Sequence, residues 1–95
     1  MSQVILKSED ETSIRQLVIS ALQAEQNELK TGILKTREKL AAFEQRYHIS
    51  TEQFLKTPPD RLPFGELEAI EWAGEHETLL RLEDELSRLA KIVLC

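Results

Sequence analysis

A single cysteine, Cys95, leaves the chain unable to close an internal disulfide, so the fold does not depend on oxidation. Glycine and proline are scarce, three of each in 95 residues, which excludes collagen-like, turn-rich and low-complexity architectures. Aromatic residues make up 5% of the chain. No apolar run is long enough to span a bilayer. The first ten residues, MSQVILKSED, lack the basic start and apolar stretch of a secretory signal. A cytoplasmic, prokaryotic protein is therefore expected. No Gly-rich phosphate loop is present, and neither His48 nor His76 has a Cys or a second His at ligand spacing.

What remains is charge and helix-forming residues. Charged side chains make up 31% of the chain, and Ala, Glu, Lys, Leu and Arg dominate, which is the composition of long helices. Residues 1–47 balance seven basic against seven acidic side chains. Residues 48–95 carry five against ten, which accounts for the net charge of −5. An acidic half disfavours phosphate contacts and suits a basic protein partner. The plainer reading is a solvated acidic helix face.

The pattern predicts an all-α protein. Residues 1–7 read as a short strand or a disordered end. Ser8 with Glu11 forms a capping box, and no proline interrupts the following stretch until after Tyr47, which predicts a helix over about 9–47. One 3-4 seam runs through it: Ile19, Leu22, Gln26, Leu29, Ile33, Thr36, Leu40, Phe43 and Tyr47. Gly32 costs this helix about 1 kcal/mol relative to Ala and marks a place for a bend. Ser50 with Gln53 starts a short helix over about 51–56, which Pro58 and Pro59 end. A last helix over about 66–92 carries the seam Trp72, Glu75, Leu79, Leu82, Leu86, Leu89 and Val93.

Folding the two seams together predicts one domain, 1–95, built as a long antiparallel, coiled-coil-like hairpin with the short helix at its bend. In the predicted register Leu40 opposes Trp72, Thr36 opposes Glu75, Ile33 opposes Leu79 and Leu29 opposes Leu82. Beyond them Ile19 opposes Val93. Thr36 and Glu75 would share a polar layer that fixes register. Apolar residues off the seams, such as Leu17, Leu34, Leu67, Ile70 and Leu80, predict a second packing surface. A homodimer forming a four-helix bundle is the simplest way to cover it, and a different protein is the rival.

Candidate chemistry is thin. Glu25 with Glu28 and Glu68 with Glu71 form carboxylate pairs at i, i+3 that can in principle hold Mg²⁺, yet ordinary surface glutamate is the preferred reading. Cys95 lacks a positioned base. No catalytic residue, metal ligand or cofactor is expected, and the chain reads as non-enzymatic. The five aromatic residues, Phe43, Tyr47, Phe54, Phe64 and Trp72, gather near the bend. They predict a small core closing the hairpin, with Phe64 and Trp72 the residues to be shared with a partner.

The stretch Phe43-Glu44-Gln45-Arg46-Tyr47-His48-Ile49-Ser50-Thr51-Glu52-Gln53-Phe54, followed by Glu71-Trp72-Ala73, resembles small archaeal and cyanobacterial helical proteins. These are similar to antitoxin components of toxin–antitoxin modules, including partners of the TumE type. The resemblance covers roughly residues 38–82. Ile49 stands where Met is common, and Thr57-Pro58-Pro59-Asp60-Arg61-Leu62-Pro63-Phe64 replaces a more acidic segment. The resemblance implies a module that neutralises or scaffolds a small basic, toxin-like protein. Partner-binding residues are then expected at Phe54, Phe64, Glu68, Glu71, Trp72 and Glu75. A structural homodimer, or a DNA-binding regulator using residues 2–7 as a paired strand, are the alternatives. Membrane and nucleic-acid partners are not expected.

Overall fold

Two long helices fold back on each other, and a short helix closes the bend between them. The computed structural model describes the backbone of residues 8–92 and the side chains of residues 11–92. The expected strand at 2–7, the capping contact of Ser8 and the pairing of Ile19 with Val93 lie outside the described residues. Helix α1 spans Ser8–Tyr47, α2 Thr51–Lys56 and α3 Glu66–Ala90. A single 3-10 turn, Pro59–Arg61, lies between α2 and α3. No described helix is long and apolar enough to cross a membrane.

Each boundary has a local cause. Helix α1 runs through Gly32 without interruption, because packing on one face outweighs the propensity loss of one glycine. It stops where His48 adopts φ 56°, the left-handed conformation that commonly follows a helix end. Helix α2 starts at Ser50, whose hydroxyl accepts the Gln53 N–H at 3.0 Å. It ends at Thr57, held in extended geometry by the proline that follows. Helix α3 begins after Gly65, with Glu66 and Glu68 complementing the positive end of its dipole.

A β-carbon makes the left-handed region costly, so His48 holds strain that glycine would not. His48→Gly is expected to raise stability by up to about 1 kcal/mol. The gain is reduced by the extra freedom glycine confers on the unfolded chain. Urea denaturation followed at the helix band checks this, and a lower midpoint would contradict it.

The hairpin is present, but its register is not the expected one. The contacts made by Trp72, Glu75 and Leu82 each lie about one seam step further on. Trp72 stacks on Phe43, with ring centroids 5.1 Å apart, instead of meeting Leu40 head on. Glu75 turns to Lys39, at 3.5 Å, and Thr36 stays buried without it. Leu82 lies over Gly32, whose missing side chain leaves room for it. The polar layer of Thr36 with Glu75 therefore does not form. The reason is geometric. A 3-4 seam slipped by one step still opposes apolar to apolar at most positions, so the seams alone barely distinguish the two registers.

The core is strung along the seam and thickens at the bend. Leu29, Ile33 and Leu40 are buried on α1, and Phe43, Phe54 and Trp72 cluster at the closed end. Among the described residues no buried side-chain nitrogen or oxygen lacks a hydrogen-bond partner. Ion pairs rim the hairpin, including Arg37 with Glu83 at 2.8 Å and Arg46 with Glu68 at 3.8 Å. Exposed pairs of this kind contribute little each, about 0–1 kcal/mol.

Candidate protein-binding groove

The bend end is built around Trp72. Its ring is fully enclosed, stacked on Phe54 at 4.2 Å and 7° and on Phe43 at 5.1 Å and 11°. Its indole N–H donates to the Thr51 hydroxyl at 3.0 Å. Thr51 is itself placed by its backbone N–H, which donates to the Glu44 carboxylate at 2.7 Å. One residue of α2 thereby ties α1 to α3. Phe64 packs across Tyr47 at 4.2 Å, and the Tyr47 hydroxyl donates to Glu68.

Thr51→Val keeps the shape and removes the acceptor, leaving a buried indole N–H unsatisfied. A loss of about 1–3 kcal/mol is expected. Since Trp72 is the only tryptophan, its fluorescence can follow the unfolding. An unchanged midpoint would show that the hydrogen bond carries no weight.

On the outer side of this cluster α2, the 3-10 turn and the start of α3 enclose an open groove of about 610 Å³. Its apolar lining includes Phe54, Leu55, Leu62, Phe64 and Ile70, and its polar rim includes Asp60 and Glu66. Leu55 is 47% exposed and Ile70 61%. Neither Asp60 nor Glu66 is ion-paired with another described residue. The chain leaving α2 forms part of the groove wall: Thr57 and Pro58 are extended, and Thr57 and Pro59 line the groove.

The six residues expected at the partner surface are divided by the fold. Phe54 and Phe64 line the groove. Trp72 has no exposed surface, so it supports the wall from behind. Glu68 and Glu71 belong to a separate hollow of about 280 Å³ facing α1, beside Lys39 and Arg46. Glu75 sits next to them, paired with Lys39. These three glutamates therefore lie against basic side chains of α1, and the unpaired acids at the groove are Asp60 and Glu66. Sequence reasoning passed over Asp60 and Glu66 because they fall in and beside the loop, where no periodicity ranks one residue above another. Ile70 was visible as an apolar residue off the seam.

Among the described residues no three His, Cys, Asp or Glu side chains converge on a possible metal position. The pairs Glu25 with Glu28 and Glu68 with Glu71 remain far apart along the hairpin, because α1 and α3 align near its closed end. No family model, curated protein or solved structure matches the chain.

Proposed function

We propose that this chain is a non-catalytic protein-binding module, antitoxin-like in kind, that holds a basic segment of a small partner protein in the groove at its bend. It works as a homodimer, joined through faces other than this groove. The observation that carries the reading is the groove itself: an open apolar floor rimmed by two acids that no other described residue neutralises. An amphipathic helix with apolar residues on one face and Lys or Arg at its edges matches both features. The acidic balance of residues 48–95 would steer such a partner to this end of the molecule. The sequence resemblance to antitoxin components points the same way.

The test is retention of a partner from the native host by the tagged chain, compared with Ile70→Lys. Ile70 is largely exposed, so the substitution should leave the fold within about 0.5 kcal/mol of the parent. It places a cation on the groove floor and is expected to weaken binding at least 30-fold, about 2 kcal/mol. The retained protein should be basic, stoichiometric and confirmed by calorimetry with purified components. Equal retention by both chains, or no stoichiometric protein, would overturn the proposal.

A further inference from the structure

Helix α1 is much longer than its partner. Glu68, in the first turn of α3, is bonded to Tyr47 and lies beside Arg46, in the last turn of α1. The two helices are therefore level at the bend, and the extra length of α1 projects from the open end. Forty residues against 25 leave about 15 residues, roughly 22 Å at 1.5 Å per residue, that no described part of α3 covers.

This overhang is unlike the rest of the surface. Between Thr12 and Ala24 it carries one charged side chain, Arg15, in a chain that is 31% charged. Ile14, Leu17, Val18, Ile19, Ala21 and Leu22 sweep about 200° of the helix circumference at 100° per residue. Leu17 is 68% exposed and Val18 41%. A single neighbouring helix needs a stripe of about 100°, so this arc calls for a surface made of two helices.

Such a surface exists at the open end of the hairpin. A groove of about 510 Å³ lies between α1 and α3, floored by Ile33, Leu34, Leu86 and Ala90. Its rim charges are Arg37 and Glu83, which satisfy each other at 2.8 Å, and Lys30. It carries no unpaired acid, like the stretch between Thr12 and Ala24 and unlike the acid-rimmed groove at the bend. The overhang of the same chain runs away from it.

We propose that two copies of the chain join open end to open end, antiparallel, each laying its α1 overhang into the groove between α1 and α3 of the other. This rests on the reading of the chain as a homodimer and specifies the surfaces used. Neither surface carries an unpaired acid, and Arg15 and Lys30, both exposed, have the length to keep their charges in water at the rim. The acidic bends fall at opposite ends, separated by far more than the screening length of about 8 Å. A cylinder about 12 Å across and 22 Å long offers about 450 Å² over this arc. The groove's lining residues, 30–37 and 83–90, run about 12 Å at 1.5 Å per residue, so each overhang buries about 250 Å² there, and both overhangs with both grooves bury about 1,000 Å², the lower limit for a specific interface. Both binding grooves at the bends stay open, which makes the assembly bivalent.

Light scattering of the full chain should give twice the 10.9 kDa of one copy. Leu17→Lys and Leu34→Lys should each return it to one copy with helicity kept, while Leu67→Lys, at the bend end, should leave the dimer intact. In a Cys95→Ser background, a Val18→Cys chain mixed with a Leu34→Cys chain should cross-link to each other in preference to themselves. A single-copy parent would overturn both the dimer and this arrangement. A dimer that survives Leu17→Lys but not Leu67→Lys, or that cross-links 18 to 18, would overturn the arrangement alone. Partner binding is read separately, because a single-copy Leu17→Lys chain keeps the bend groove and its sensitivity to Ile70→Lys.

Discussion

Trp72→Ala is expected to cost about 4–5 kcal/mol, the largest effect of any single truncation in the chain. Three losses combine. The ring is fully enclosed, so its whole apolar surface returns to water or to a cavity. Its stacking with Phe43 and Phe54 disappears, at about 0.5–1.5 kcal/mol for each ring pair. The Thr51 hydroxyl loses its donor. A chain of this length has a total stability of about 5–10 kcal/mol, so the variant should be close to unfolded at physiological temperature. Circular dichroism at the helix band should show a large fall in the thermal midpoint. Trp72→Phe, which keeps a stacked ring, should lose less than the alanine variant. A midpoint for Trp72→Ala within a few degrees of the parent would show that the closed end is not the main source of cohesion.

The second large effect is expected at Gly32, and its sign depends on the size of the new side chain. A β-carbon there meets Leu82 Cδ1 at 3.3 Å, tight but against the movable end of a flexible side chain. Gly32→Ala adds about 1 kcal/mol of helix propensity and gives part of it back in crowding, so a change near zero is expected. Gly32→Ile cannot be absorbed this way. The branched side chain pushes α3 off α1 where the two approach closely, and a loss of about 2–3 kcal/mol is expected. The pair of variants also tests the register. Had Leu82 opposed Leu29 alone, Gly32 would face open space and both substitutions would be harmless. Chemical denaturation of the two variants beside the parent decides between these outcomes.

Much of the architecture was legible in the residues. The long run without proline, the Ser50 cap, and the Thr57-Pro58-Pro59 stop set the helix limits through local physics: caps, propensities and a fixed backbone angle. The gathering of five aromatics between 43 and 72 announced the closed end. Ile70 and Leu67 stood out as apolar residues away from the seam. Less of the groove could be read. Phe54 and Phe64 were identified, but Glu68, Glu71 and Glu75 were set at the same surface because they are acidic and near Trp72. In the folded chain Lys39 and Arg46, distant in sequence, lie beside them.

The sequence by itself determined which segments are helical, that they fold back as a hairpin, and that apolar surface is left over. Those properties follow from interactions within a few residues and from one periodicity. The tertiary structure alone decided the register, the concealment of Trp72, and the placing of Glu68, Glu71 and Glu75 beside the basic side chains of α1 while Asp60 and Glu66 rim the groove. Each of these depends on how two helices sit against each other. A repeating seam is nearly unchanged by a one-step slip, so only a contact outside the repeat could select the register. Helix α2 supplies that contact: Phe54 stacks on Trp72, and the Thr51 hydroxyl accepts the indole N–H across the bend.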